Sequence, residues 1–186
     1  MIPLLALLLL TADPAVEHLD TRIQLPATIV FDCDFPARLK APVWHAVDYW
    51  NRVSHARLFT VDSVCHDADT LFLSEASVSL IVMVLRDKDK PDDKGVNRLA
   101  DTNHSTWSSV VKLEQINFYP EWLDYDIDYQ EATVRHELGH AMGMDHSTSE
   151  SCLLWPYIRM SRYSACSAEI DEAVRLARAA HLPPLP

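Results

Sequence analysis

The chain alternates between segments with the hydrophobic spacing of strands and segments with that of helices. Apolar and β-branched residues dominate 23–31, 56–64, 77–86 and 111–119, which predicts four β-strands. The run at 77–86 is apolar at most positions, so we expect this strand to be buried on both faces of a sheet.

Three further segments have apolar residues every three or four positions, which predicts helices over 36–53, 129–144 and 167–180. Pro42 suits an early turn of the first helix, and Ser167 is the expected N-cap of the last. The resulting order is strand, helix, several strands, helix, loop and helix. Because there is no internal repeat and no interdomain linker, this order predicts a single α/β domain.

The first twelve residues, MIPLLALLLLTA, form an apolar run that ends in small residues. The run is only about half the ~20 residues that a transmembrane helix needs. We interpret residues 1–15 as a secretory signal peptide, cut after Ala12 or Ala15, and 16–186 as the domain. No Lys or Arg precedes the run, and an apolar first strand is the alternative. A signal peptide would direct the domain to the extracellular space or the periplasm.

The composition is that of a globular protein with an excess of acidic residues. Hydrophobic residues make up 48% of the 186 residues, which is enough for a buried core, and the formal net charge is −11. Nucleic acids and anionic membranes both attract basic protein faces. The charge therefore argues against either as a partner.

The four cysteines predict disulfides, because an even number is typical of an exported protein. Of the three ways to pair them, proximity along the chain favours Cys33–Cys65 and Cys152–Cys166, and free buried thiols are the alternative. The sequence has no CxxC arrangement, which argues against a thiolate metal site.

The segment 87–95, DKDKPDDKG, gathers charged residues around a proline and a glycine. It is interpreted either as a solvated loop or as a Ca²⁺-binding loop, because Ca²⁺ prefers carboxylate oxygens as ligands.

Residues 136–156 hold three of the nine histidines and two of the three glycines. Glycine inside a helix costs about 1 kcal/mol relative to alanine, so the stretch needs a reason. His136 and His140 are four residues apart, which on a helix places both imidazoles on one face, where they can share a Zn²⁺ ion. Glu137 is offset by one residue, so its carboxylate can approach a water at the metal without binding the metal itself.

Gly143 and His146 complete this pattern. If the helix ends at Gly143 in the left-handed conformation, the chain turns sharply and His146 returns to the metal as a third ligand. Three protein ligands and an open fourth position are typical of a catalytic zinc. Gly139, which has no side chain, lets another backbone or a substrate pass close to the helix.

The stretch HELGHAMGMDH resembles the HExxHxxGxxH signature of the metzincin metalloproteases. Ser147, directly after the third histidine, resembles the residue that the matrixins have at this position. The matrixins are the group that includes the matrix metalloproteinases. The resemblance in motif covers about 136–157, and elsewhere only the order of elements matches. It implies a metzincin-like α+β fold: a twisted mixed sheet, two long helices, one of which carries the zinc site, and a C-terminal helix.

The resemblance also implies a role for each motif residue. His136, His140 and His146 would bind one Zn²⁺, and Glu137 would act as general base and then general acid. We expect a monomer that acts on a protein or peptide substrate.

Four residues outside the motif would contact that substrate in its extended conformation. Leu99 and Ala100 would lie on an edge strand that pairs with it, and Pro156 and Tyr157 would form one wall of a side-chain pocket.

Leu154 departs from the family pattern. Metzincins have a methionine in a tight turn under the zinc ligands, and the matrixin spacing places it eight residues after the third histidine, where this chain has Leu154. Either Leu154 replaces the methionine or Met160 takes its place through a longer connection. We favour Leu154, because Pro156 then keeps register with the proline of the family.

These features predict a secreted zinc endopeptidase that hydrolyses peptide bonds with a zinc-activated water. A zinc-binding module without proteolytic activity is one alternative, although a purely structural site has no need of Glu137. A zinc hydrolase that cleaves another amide, such as one in the cell wall, is the other.

Overall fold

The computed structural model describes residues 23–68, 79–88, 90, 98–104, 113–157 and 164–185. Residues 1–15, interpreted as a signal peptide, lie outside the described residues, as do most of the 87–95 run and Met160.

Within the described residues, five strands form one mixed sheet: β1 Ala27–Asp32, β2 Phe59–His66, β3 Leu80–Leu85, β4 Ala100–His104 and β5 Leu113–Phe118. Their spatial order is β2-β1-β3-β5-β4. β1 pairs in parallel with β2 and β3, and β3 pairs in parallel with β5, whereas β4 runs antiparallel to β5. The predicted mixed sheet is confirmed, and β4 forms one of its edges.

The described part of the chain also has three α-helices: α1 Lys40–Val53, α2 Ile127–Ala141 and α3 Ser167–Ala179. Short 3-10 helices, Ala37–Leu39 and Pro120–Asp124, precede α1 and α2. Pro42 lies in the first turn of α1, as expected.

The predicted N-cap of α3 is wrong by one residue. Cys166, not Ser167, caps the helix, and its backbone N–H donates to Glu169 Oε2 at 2.9 Å. Glu169 thereby closes a capping box at the start of α3.

The main core lies between the helices and one face of the sheet, and a smaller cluster covers the other face. Ile81 and Met83 belong to the main core, and Val82 and Val84 belong to the smaller cluster. β3 is therefore buried on both faces, as its apolar sequence predicts.

Two disulfides pair Cys33 with Cys65 and Cys152 with Cys166, the pairs that proximity along the chain favours. The first joins the end of β1 to β2, and the second joins the segment after α2 to the start of α3. Within the described ranges, no helix has both the length and the apolar character needed to cross a membrane.

Candidate active site

α2 carries the first half of the candidate site on its buried side. The Asp126 side chain caps the helix by accepting a hydrogen bond from the Tyr129 N–H at 2.9 Å. Ten residues further on, His136, Glu137 and His140 are at most 8% exposed. The helix is thus fixed at its start and packed along its length, so these three side chains project from a rigid element.

Gly143 turns the chain immediately after α2. Its φ of 89° is in the left-handed region, as predicted, and its N–H donates to the His140 carbonyl at 2.8 Å. The next amide, Met144 N, donates to the Gly139 carbonyl at 3.1 Å. The turn brings His146 back, so that its ring centroid lies 4.7 Å from that of His140.

The three imidazoles form a cluster with the size of a metal site. One ring nitrogen from each of His136, His140 and His146 lies within 4.8 Å of the others. His136 Nδ1 donates to the Leu153 carbonyl at 2.9 Å, and His140 Nδ1 donates to the Met144 carbonyl at 2.8 Å. A carbonyl only accepts hydrogen bonds, so both Nδ1 atoms carry the proton and both Nε2 atoms of the neutral rings have a lone pair.

Those two Nε2 atoms, of His136 and His140, are only 3.0 Å apart. Two lone pairs cannot hydrogen bond to each other, and a cation between them converts repulsion into coordination. Burial, followed by the proximity of His140, lowers the pKa of His136 well below its usual value, and the same two causes lower that of His146. The neutral imidazoles therefore suit Zn²⁺.

Leu154 packs against α2 at the turn that follows His146. It is fully buried, and a Cβ built on Gly139 would lie 2.7 Å from Leu154 Cδ2. The space that Gly139 leaves open is thus filled by a side chain of the same chain, and not by a backbone or a substrate. The Leu154 carbonyl accepts from the Ser147 N–H at 2.9 Å, which closes the loop between the third histidine and this turn.

Glu169 holds the same turn from α3. Its buried carboxylate accepts hydrogen bonds from Leu153 N at 3.0 Å and Leu154 N at 2.7 Å. The disulfide between Cys152 and Cys166 joins the two segments next to these bonds. Because the Leu153 carbonyl accepts from His136, Glu169 and the disulfide fix the acceptor that orients this imidazole.

Glu137 points toward β4. Thr102 Oγ1 donates to Glu137 Oε2 at 2.7 Å and lies 3.3 Å from the Glu137 carbonyl oxygen. Burial raises the pKa of the Glu137 carboxyl to about 7, although the Thr102 hydrogen bond acts in the opposite direction. A carboxyl with a pKa near neutrality can both take up and release a proton under physiological conditions.

A family comparison agrees with this geometry. The model of the M10 peptidases described as Matrixin matches residues 41–175, which contain all three histidines and Glu137. The chain is a matrixin. Matrixins are zinc-dependent metalloproteases, and the imidazole cluster could hold such a metal. A search of curated proteins found no match to the chain.

In the described residues, the edge strand of this matrixin turns the peptide groups of alternate positions away from the sheet. Tyr119 N donates to the Leu99 carbonyl at 2.9 Å, so these two residues form a hydrogen-bonded pair of the antiparallel ladder. Such pairs alternate along the ladder, and the peptide groups of Ala100 and Thr102 therefore point away from β5. Ala100 is available to a partner strand, whereas the Leu99 carbonyl is engaged inside the sheet.

Pro156 and Tyr157 follow the turn directly and are exposed, Tyr157 by 51%. The Tyr157 ring lies edge-on to Trp155, with centroids 6.4 Å apart. Their exposure leaves both accessible to a ligand. Their role in the pocket wall stays a prediction.

Thr102 and Glu169 were not predicted from the sequence of this matrixin. Glu169 has a local signal, because it stands three residues after Cys166, as in a capping box. Thr102 is 35 residues from Glu137 along the chain, and no local pattern connects the two.

Proposed function

We propose that the protein is a secreted zinc-dependent endopeptidase. His136, His140 and His146 hold one Zn²⁺, and Glu137 is the general base. The observation that carries the proposal is the 3.0 Å separation of two lone-pair nitrogens, His136 Nε2 and His140 Nε2, on rings fixed by backbone carbonyls. A purely structural zinc site has four protein ligands and no need of a neighbouring carboxylate. Here three imidazoles form the cluster, and the buried Glu137 follows His136 directly on α2.

In the proposed reaction, a side chain of the protein carries out both proton transfers. Bound Zn²⁺ supplies a Lewis acid that acidifies water and polarises the carbonyl of the scissile bond. Glu137 takes the proton of the attacking water and delivers it to the nitrogen of the leaving amine.

The substrate lies along the free edge of β4 as an extended strand. The outward peptide groups of Ala100 and Thr102 form main-chain hydrogen bonds with it, which gives affinity with little sequence preference. Pro156 and Tyr157 line the pocket that selects one side chain. Leu99 lies directly before this strand and contributes by fixing its start, since its carbonyl accepts the Tyr119 N–H.

The remaining parts of the proposal concern export and domain organisation. Residues 1–15 are the signal peptide, and 16–186 are the catalytic domain, which acts as a monomer. The two disulfides suit an oxidising compartment. N-terminal sequencing of the exported protein tests this part, with Ala12 or Ala15 as the residue before the cut.

A peptide library tests the reaction. We expect the zinc-loaded protein to cleave internal peptide bonds, and a zinc chelator to abolish cleavage. Bound zinc without peptide cleavage would contradict the proposal and favour a non-proteolytic module or a hydrolase of another amide.

Two variants test the assigned roles. Glu137→Ala should retain one zinc per chain and lose cleavage, and His146→Ala should bind zinc more weakly. Asp128→Ala, which removes an exposed acid from the same helix, is the matched control and should behave as the parent does. Proteolysis by Glu137→Ala, or unchanged zinc content in His146→Ala, would refute the respective role.

A further inference from the structure

We propose that Thr102 is a positioning residue that holds the Glu137 carboxylate in place for proton transfer. The proposal rests on the proposed peptidase function, which it deepens. Thr102 acts through Glu137 and not on the metal, and it lies on a different element, β4.

Thr102 and Glu137 are joined by a short hydrogen bond. A hydroxyl has a single proton to donate. Because Glu137 Oε2 is 2.7 Å from Thr102 Oγ1 and the Glu137 carbonyl oxygen is 3.3 Å away, the hydroxyl donates its hydrogen bond to the carboxylate. In the described residues, no other side chain is seen to donate to this carboxylate. Oε2 is thereby fixed by Thr102, and Oε1 is left for the water.

The strand that carries Thr102 is held in place by the side chain of its neighbour. The preceding residue, Asp101, accepts hydrogen bonds from Lys90 at 2.7 Å, Asn117 at 2.8 Å and Tyr119 at 2.9 Å. Because alternate side chains of a strand point to opposite faces, these bonds anchor β4 on the face opposite to Thr102. The hydroxyl therefore projects from a backbone with little freedom to move.

Thr102 also lies on the proposed substrate edge of the sheet. Its peptide groups point to the free side of β4, while its hydroxyl reaches Glu137. One residue thus contacts both the proposed substrate strand and the proposed base. Binding of an extended peptide at this edge fixes the backbone from which the Glu137 carboxylate is held.

Steady-state kinetics test the role. Thr102→Val keeps the shape and the β-branched character but removes the donor, and we expect kcat to fall about 10- to 100-fold while KM stays within about threefold. Thr102→Ser restores a hydroxyl and should recover most of kcat. Thr28→Val is the matched control, because Thr28 also lies on a strand and its hydroxyl hydrogen bonds to Thr60, at the other end of the sheet.

A second readout does not depend on activity. In zinc-loaded protein with ¹³C-labelled glutamate side chains, the Glu137 carboxyl resonance is assigned by its loss in Glu137→Gln. Thr102→Val should shift this resonance, whereas Thr102→Ser and Thr28→Val should leave it close to its parental position.

The outcomes separate the two proposals. If the parent protein cleaves no peptide, the proposed function fails, and the carboxyl resonance still decides whether Thr102 holds Glu137. If the resonance does not move in Thr102→Val, or if Thr102→Ser loses as much kcat as Thr102→Val, the role of Thr102 is overturned although proteolysis stands.

Discussion

Gly139 and Leu154 are in such close contact that a single added carbon at Gly139 would lie 2.7 Å from Leu154 Cδ2. Gly139 belongs to the turn of α2 between two zinc-ligand candidates, His136 and His140. Leu154 is the residue that the matrixin spacing predicts in place of the family's methionine. The missing side chain of Gly139 therefore sets how closely Leu154 can approach the helix that carries two of the candidate metal ligands.

Gly139→Ala should lower the free energy of unfolding by about 1 kcal/mol. The helix gains about 1 kcal/mol from alanine, but overpacking against the buried Leu154 costs about 1–3 kcal/mol. In a Leu154→Val background, which lacks the Cδ atoms, the same substitution should become stabilising. Urea unfolding of the four proteins of this cycle measures the coupling, and equal effects in both backgrounds would show that the contact carries no strain.

Leu154→Met should be nearly neutral. Leucine and methionine have similar volumes, and such swaps in a core typically cost less than about 1.5 kcal/mol. We expect kcat/KM for a peptide substrate to stay within about threefold of the parent. A tenfold change in either direction would mean that Leu154 influences the candidate metal site through more than its volume.

Glu169→Gln should weaken zinc binding although Glu169 touches no metal. The carboxylate accepts hydrogen bonds from three backbone N–H groups, those of Leu153, Leu154 and Cys166. In glutamine, an NH₂ group replaces one of the two oxygens, and this donor would point at a backbone N–H that is also a donor. A mispaired buried group costs about 1–3 kcal/mol. Displacement of the Leu153 carbonyl should also release His136, and loss of such a supporting partner typically costs 10- to 100-fold in metal affinity.

Competition with a chromogenic chelator measures the zinc Kd of this variant. Asp171→Asn, a neutralisation on the exposed side of the same helix, is the control and should leave the zinc Kd unchanged. A parental Kd in Glu169→Gln would show that the turn holds its shape without the carboxylate.

The two disulfides should differ in their effect on the site. On the chain-entropy argument each contributes about 3–4 kcal/mol to stability. Replacement of Cys152 and Cys166 by serine should lower both stability and zinc affinity, because this disulfide adjoins the turn that orients His136. Replacement of Cys33 and Cys65 should lower stability but not zinc affinity. This disulfide joins β1 to β2, and β2 is the edge of the sheet opposite to β4. Equal zinc affinities in the two double variants would contradict this distinction.

The parts of the fold that follow from local physics were predictable. β3 has an apolar sequence that is typical of a strand buried on both faces. Gly143 adopts the left-handed conformation that the spacing of the histidines requires. The histidine motif is compact in sequence, so one helix and one turn are enough to assemble it.

The boundaries and the long-range partners were not predictable in the same way. The strand expected at 56–64 starts at Phe59, because Ala56 instead forms a bridge with Pro184 near the C-terminus. β4 was expected only from the family resemblance, because its sequence, ADTNH, has no hydrophobic alternation. Polar contacts of Asp101 with Asn117 and Tyr119 accompany its pairing with β5. The contacts of Thr102 and Glu169 join residues that are distant in sequence, and a local pattern carries no information about them.

The polar character of β4 has a further consequence for solubility. A free strand edge is a template for pairing with any extended chain, including a second copy of the same protein. β4 is only five residues long and carries Asp101 and Asn103, and the protein as a whole has a net charge of −11. Short length and like charge disfavour edge-to-edge stacking of two copies. In the part of the chain that the structure describes, the edge of β4 is therefore accessible to a flexible peptide but poorly suited to stacking against a second copy.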